Sequence, residues 1–140
     1  MSQWAGELID SFAMPQPAVK TVLIVDDSKF FRTATERTLT KAGYLVITAA
    51  DGEQGLHLAR EKTPSLILLD MLLPKLDGPS VLHQLKADSK TRKIPVLVLT
   101  SLSQRNEEKL VADGAAAFLE KERLVKDSQP LLQAIAQLLP

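Results

Sequence analysis

The sequence has no cysteine, few aromatic residues and no excess charge of either sign. The absence of cysteine excludes disulfides, thiolate zinc sites and a cysteine nucleophile. Lysine and arginine together number 17, as do aspartate and glutamate, so no net charge draws the chain toward nucleic acid or an anionic membrane. No apolar run approaches the ~20 residues that cross a bilayer, and the acidic amino terminus does not look like a secretory signal. We expect a cytoplasmic protein that neither inserts into membranes nor binds nucleic acid directly.

The chain length of 140 residues is near the usual size of one domain, and an apolar content of 45% is ordinary for a globular protein. We expect residues 20–140 to form that domain. Residues 1–19 are a separate tail, in which Trp4 and Phe12 could share one face of a short amphipathic helix. A flexible tail is the alternative, because an isolated helix of this length is marginal in water.

Short apolar runs alternate with helix-length amphipathic stretches along the chain. The predicted strands are 21–25, 45–49, 66–69, 96–99 and 117–119, and the predicted helices are 29–41, 52–62, 78–87, 104–112 and 128–138. Strands 66–69 and 96–99 are apolar on both faces, as expected of parallel strands that helices cover on each side. The sequence therefore predicts an α/β fold, with a doubly wound parallel sheet in (βα)5 order.

Polar side chains stand where the predicted strands end, at the edge where doubly wound folds bind ligands. Asp26 and Asp27 follow the first strand, Asp70 the third and Thr100 the fourth, and Lys121 lies just past the fifth. Crowded carboxylates repel one another unless a cation joins them. An all-oxygen cluster suits a hard ion such as Mg²⁺. These residues predict a metal site with a hydroxyl and an ammonium nearby.

A simpler interpretation exists for each of these residues taken alone. Asp27 or Ser28 could cap the helix that begins at Lys29. Thr100 could be an ordinary strand-end hydroxyl, and Lys121 an ordinary surface lysine. Their joint placement at successive strand ends favours a shared site.

Four segments resemble the receiver domain of two-component response regulators in order and spacing. They are VLIVDDS at 22–28, LLDMLLPKLDG at 68–78, IPVLVLTS at 94–101 and DGAAAFLEK at 113–121. The resemblance covers about residues 21–139. It implies the flavodoxin-like receiver fold of five strands, and a single-domain regulator similar to those of chemotaxis.

The resemblance also implies a phosphoacceptor and a metal site. Asp70 is the residue that takes the phosphoryl group. Asp26, Asp27 and Asp70 bind Mg²⁺ together with the main-chain carbonyl of Leu72. The protein is then a signalling domain rather than an enzyme, although it assists its own phosphorylation and dephosphorylation.

Further residues are implied to sense the phosphoryl group. Lys121 pairs with it, Thr100 hydrogen-bonds one of its oxygens, and Thr100 with Phe118 forms the switch. The phosphoryl group comes from a histidine kinase or a histidine phosphotransfer protein, since the chain has no nucleotide-binding glycine loop. The downstream partner is a protein that the sequence does not identify.

The sequence departs from the family pattern after Lys121, where Glu122 replaces the usual proline that follows a cis peptide bond. A cis bond before another residue type costs about 3–4 kcal/mol, so this loop is either trans or strained. Glu120 or Glu122 could pair with Lys121 in the resting state. Residues 123–127 are additional to the pattern before the last helix.

Other functions share the predicted fold. A pseudo-receiver would bind partners without phosphorylation; the intact acids argue against it and the missing proline argues for it. A phosphohydrolase with Asp70 as nucleophile would need a general acid two residues later, where the sequence has Leu72. In a flavin mononucleotide carrier, Asp26 and Asp27 would repel the phosphate. The receiver interpretation accounts for the most residues.

Overall fold

The computed structural model contains a single sheet of parallel strands and describes residues 19–101 and 107–140. The strands are β1 (Thr21–Val25), β2 (Leu45–Ala49), β3 (Leu66–Asp70), β4 (Val96–Thr100) and β5 (Ala117–Glu120), in the order β2-β1-β3-β4-β5. The predicted doubly wound α/β fold is confirmed, and β3, β4 and β5 each extend one residue further than predicted. The predicted tail lies outside the described residues, apart from Val19.

Helices connect the strands and follow the last of them. They are α1 (Lys29–Lys41), α2 (Gly52–Lys62), α3 (Gly78–Ala87), α4 (Glu107–Ala112), α5 (Lys121–Lys126) and α6 (Gln129–Leu138). The start predicted for α4, at residue 104, lies outside the described residues. Helix α5 is not among the predicted helices, because the residues additional to the family pattern fold into a helical turn that buries Leu124. None of the described helices has the length and apolar character of a membrane span.

Short polar side chains determine where three of the helices begin. The Ser28 hydroxyl accepts a hydrogen bond from the Phe31 N–H (3.3 Å) and caps α1. Asp51 and Asp77 cap α2 and α3 in the same way, each accepting an N–H at 2.8 Å. Satisfying an otherwise unpaired N–H in this way is worth about 1 kcal/mol per helix. Ser28 rather than Asp27 is the cap of α1, so the Asp27 carboxylate is left for another role.

The buried core lies on both faces of the sheet. In β1, Leu23 and Val25 belong to one buried cluster, whereas Val22 and Ile24 belong to the other. Every residue of β3 and β4 is buried. Each large apolar side chain removed from water in this way contributes roughly 1.5–3 kcal/mol to stability. The predicted two-sided burial of the central strands is confirmed.

The order of the strands places a cleft beside β1 and β3. The chain leaves β1 for β2 on one side and later returns to β3 on the other side. At such a topological switch point the connections after the two strands diverge, and they leave a crevice at the carboxyl ends of the strands. Asp26 and Asp70 stand at those two ends.

Candidate metal centre

Asp26, Asp27 and Asp70 lie together at the carboxyl edge of the sheet. Each offers one carboxylate oxygen, and these atoms all lie within 4.8 Å of one another. The pairing of β1 with β3 causes this proximity, because Val25 and Leu69 are partners in the sheet and the acids follow them. Asp26 and Asp70 are buried, whereas Asp27 is exposed. The structure therefore brings the predicted acidic cluster together and leaves one member facing solvent.

The Asp26 carboxylate is fully buried, and only one of its oxygens has an aligned donor. Oδ1 accepts a hydrogen bond from the Ser28 N–H (2.8 Å). Oδ2 lies 2.7 Å from Lys121 Nζ, but this ion pair falls outside hydrogen-bond geometry, and within the described part of the chain Oδ2 has no hydrogen-bond partner. The Arg32 guanidinium fixes the backbone here by donating to the Asp26 carbonyl (2.7 Å). A buried carboxylate oxygen of this kind is suited to a metal ion.

Asp70 is buried at the end of β3 and has a donor on each carboxylate oxygen. Oδ1 accepts from the Leu72 N–H (3.2 Å) and Oδ2 from Lys121 Nζ (3.1 Å). Burial raises the pKa of Asp70 above its usual range, and the Leu72 N–H and the Lys121 ammonium offset only part of that effect. The side chain borders an open cleft of about 370 Å³ that Asp27 also lines. A ligand can therefore reach Asp70 from solvent.

Lys121 lies between the two buried carboxylates although Glu122 follows it. Its Nζ atom is 2.7 Å from Asp26 Oδ2 and 3.1 Å from Asp70 Oδ2. The peptide bond to Glu122 is trans, since no cis peptide bond occurs among the described residues. Burial lowers the pKa of Lys121, but the two carboxylates outweigh burial and raise that pKa above its usual range. The ammonium therefore pairs with the site acids.

Thr100 is the last residue of β4 and lies at the same edge of the sheet. Its side chain is 1% exposed, and its Oγ1 atom has no hydrogen-bond partner in residues 19–101 and 109–140. A buried hydroxyl without a partner costs about 1–3 kcal/mol. An acceptor oxygen brought within its reach would recover that free energy.

Phe118 and Leu72 are the remaining residues predicted for the site, and they differ in exposure. Phe118 lies on β5 beside Val98 of β4 and is half-buried against the core. Leu72 donates its N–H to Asp70, while its side chain is 59% exposed at the cleft. The switch role of Phe118 and the metal-ligand role of the Leu72 carbonyl stay predictions.

Phe31 contacts the site, although it is not among the residues that the sequence predicts there. Lys121 Nζ lies 4.7 Å from the centroid of the Phe31 ring. Phe31 shares the buried face of α1 with Thr35 and Leu39. The spacing of these three residues, four apart, is the signal in the sequence that could have placed Phe31 on that face.

The residues present fit a hard divalent cation. The available side-chain donors are carboxylate oxygens, which Mg²⁺ prefers to nitrogen or sulfur. The three carboxylates each offer an oxygen within 4.8 Å of the others, and the exposed Asp27 lets a hydrated ion approach. The cluster can therefore bind a metal ion.

Residues 22–138 match the family model described as the response regulator receiver domain. The chain belongs to this family. This receiver domain is 38% identical over 115 residues to the DNA-binding dual master transcriptional regulator RpaA of Synechocystis sp., with 81% of this chain and 48% of that protein covered. The chain spans about a third to a half of the length of the curated relatives it matches. The chain is therefore a response regulator receiver domain of the kind that two-component systems contain.

Solved receiver structures have the same fold. The N-terminal domain of a response regulator receiver protein from Methanoculleus marisnigri superposes with a TM-score of 0.69 and 31% identity, covering 87% of this receiver domain and 98% of that chain. The receiver domain of a sensor histidine kinase from Pseudomonas aeruginosa has a magnesium ion coordinated in its active-site cleft. It superposes with a TM-score of 0.67 and 28% identity, covering 78% of this chain and 93% of its own.

Proposed function

We propose that this receiver domain accepts a phosphoryl group on Asp70, in the presence of Mg²⁺, from the phosphohistidine of a histidine kinase or histidine phosphotransfer protein. The observation that carries the proposal is the position of Lys121 Nζ, 2.7 Å from Asp26 and 3.1 Å from Asp70. An anionic donor can approach a carboxylate only where cations neutralise the accumulating negative charge. The position of this ammonium beside both acids supports the proposal.

The carboxylates of Asp26, Asp27 and Asp70, with the main-chain carbonyl of Leu72, would hold the Mg²⁺ ion. When bound, the ion supplies positive charge that offsets the repulsion between the acids and the phosphoryl oxygens. The closeness of the three carboxylates, one oxygen of each lying within 4.8 Å of the others, supports this assignment. The ammonium of Lys121 is the cation that this chain itself contributes.

The transfer uses Asp70 as the nucleophile. One of its carboxylate oxygens forms a bond to phosphorus while the P–N bond of the donor phosphohistidine breaks. The electron pair of the broken bond stays on the imidazole nitrogen, which takes up a proton. Lys121 then pairs with the phosphoryl oxygens and offsets their charge. The product is an acyl phosphate, and attack by water on phosphorus later returns the Asp70 carboxylate and inorganic phosphate.

Thr100 and Phe118 would convert this modification into a change of surface. The Thr100 hydroxyl, buried and without a described partner, can donate to a phosphoryl oxygen. A shift of the end of β4 toward that oxygen would make room for the half-buried Phe118 ring to turn inward. We infer that a protein partner reads the altered surface and that the domain itself does not contact nucleic acid.

The test of this function is intact-mass measurement after incubation with Mg²⁺ and acetyl phosphate. We expect the wild-type protein to gain one phosphoryl group and Asp70→Asn to gain none. Glu61→Gln, which alters an exposed acid on α2, is the control and should be labelled like the wild type. Equal labelling of Asp70→Asn and wild type would falsify the assignment of Asp70. An unlabelled wild type would favour the phosphorylation-independent pseudo-receiver.

A further inference from the structure

The ammonium of Lys121 has an aromatic neighbour in addition to its carboxylate partners. Its Nζ atom lies 4.7 Å from the centroid of the Phe31 ring, inside the ~6 Å range of cation–π contacts. Phe31 is 6% exposed, and the Lys121 side chain is 23% exposed. Cation–π attraction grows as water is removed from the contact, so this largely buried pair is in the stronger part of its range.

Phe31 is also linked to the helix that presents Lys121. Phe31 and Leu124 belong to one buried cluster and line the same cleft between α1 and α5. Leu124 is the buried residue of α5, and Lys121 is the first residue of that helix. The aromatic side chain is therefore in a position to fix both the helix and the ammonium at its start.

We propose that Phe31 is a positioning residue that holds Lys121 for the phosphoryl group, an inference that rests on the proposed function. The other partners of the ammonium are Asp26 and Asp70, and these carboxylates are the groups that the metal ion and the phosphoryl group would engage. The Phe31 ring binds neither of them. It stays available to the ammonium throughout the transfer, and it restricts where Nζ can lie once the carboxylates are engaged.

An ordinary core role for Phe31 has different consequences. Loss of the ring lowers the free energy of unfolding in either case, so stability alone does not distinguish the two roles. Only the positioning role makes the effect of the ring on phosphorylation depend on the presence of Lys121. Only that role also requires the ring to stay against the Lys121 side chain when the site is occupied.

The first experiment compares rates of phosphorylation by acetyl phosphate at a fixed Mg²⁺ concentration. Phe31→Met removes the π face but keeps an apolar side chain, and Phe31→Tyr keeps the face. Phe30→Met is the matched control, because Phe30 adjoins Phe31 and is 76% exposed. We expect Phe31→Met to be slower by about five-fold. Phe31→Tyr should keep most of the wild-type rate, and Phe30→Met all of it.

The same substitution is then made in a Lys121→Met background. If Phe31 acts through the ammonium, Phe31→Met should cause no additional loss of rate there. An equal loss with and without Lys121, or no loss when Lys121 is present, overturns the positioning role. A wild-type protein that takes up no phosphoryl group overturns the proposed function instead, and the contact itself is then tested without a phosphodonor.

That test is the proton resonance of the Lys121 ε-methylene group, measured by NMR. Protons above an aromatic face resonate upfield, so we expect an upfield position in the wild type, Phe31→Tyr and Phe30→Met, and an ordinary position in Phe31→Met. The upfield position should persist when Mg²⁺ and beryllium fluoride, an analogue of the phosphoryl group, are added. An ordinary position in the free wild type, or loss of the upfield position on adding the analogue, overturns the proposal.

Discussion

Gly52, the first residue of α2, lies directly against the main-chain carbonyl of Leu76. A Cβ atom on Gly52 would overlap that carbonyl, and the Gly52 N–H donates to the carbonyl of Pro74 (3.4 Å). An ion pair between Lys75 and Asp51 (3.6 Å) joins the same two segments. The loop that follows β3 is therefore held against the start of α2.

We expect Gly52→Ala to destabilise the protein by about 1–3 kcal/mol, because the added methyl group must push the Leu76 carbonyl away. A loss of stability would be informative, because replacing glycine by alanine in a helix otherwise stabilises it by about 1 kcal/mol. Urea denaturation measures the difference. Glu53→Ala changes the next, exposed residue and should stay within about 0.5 kcal/mol of the wild type. Equal stability of the two variants would show that the loop containing Leu76 can move aside at no cost in stability.

Metal binding should depend on the acid pair after β1. We expect Asp26→Asn combined with Asp27→Asn to abolish Mg²⁺ binding in a calorimetric titration. The fold should persist, because the amide oxygen of Asn can still accept the Ser28 N–H and the repulsion between carboxylates is relieved. Glu61→Gln should bind Mg²⁺ like the wild type. An unchanged affinity in the double variant would exclude these residues as ligands.

The acyl phosphate should be long-lived, because Leu72 offers no hydrogen bond to an attacking water from its position at the cleft. Leu102, two residues after Thr100, lies outside the described residues. Its apolar side chain and its place in the sequence suggest that it also withholds a hydrogen bond from the attacking water. We expect Leu72→Asn with Leu102→Glu to accelerate hydrolysis by about ten-fold or more. The measurement is the decay of purified phosphoprotein at constant Mg²⁺. A half-life that is unchanged or longer would point to Lys121 as the group that sets the lifetime.

The cap of α3 should contribute a pH-dependent part of the stability. The Ser80 N–H lowers the pKa of Asp77 below its usual range. The lower pKa belongs to the folded state, so the contribution is fully present above the ordinary carboxyl pKa of about 3.9 and is lost as pH falls through the folded-state pKa. We expect Asp77→Ala to lose about 1 kcal/mol at neutral pH and less in acid. Asp77→Asn, which can still cap, should lose little at neutral pH; a loss equal to that of Asp77→Ala would contradict the argument.

The sheet could be predicted because its central strands are continuous runs of apolar residues. Residues 66–69 of β3, for example, are apolar on both faces, and Pro64 stands between α2 and this strand. Helix α5 could not be predicted in this way. Six residues are too few to show a helical period, and the burial of Leu124 depends on contacts with a distant part of the chain.

The candidate site was predictable as a set of residues but not as a set of contacts. Topology alone brings Asp26 and Asp70 to neighbouring strand ends, so their proximity follows from the sequence pattern. The position of Lys121 depends on how a segment far along the chain folds back over α1. Phe30 and Phe31 are adjacent and chemically identical, and only the packing of α1 decides that Phe31 is buried while Phe30 is exposed. Such distant contacts have no local signature.

The acids and the ammonium of this site are attached to parts of the chain with different stability. The Asp26 N–H donates to Ala49 (3.0 Å), and the N–H that follows Asp70 donates to Leu99 (3.2 Å), so both acids are built into the ladders between strands. Lys121 starts a short helix whose buried residue is Leu124, so this helix has far less buried surface than the strands. Local opening of such a segment requires far less free energy than opening the sheet. The amide protons of α5 should therefore exchange with solvent long before those beside the acids, and the ammonium can leave and return while the carboxylates stay in place.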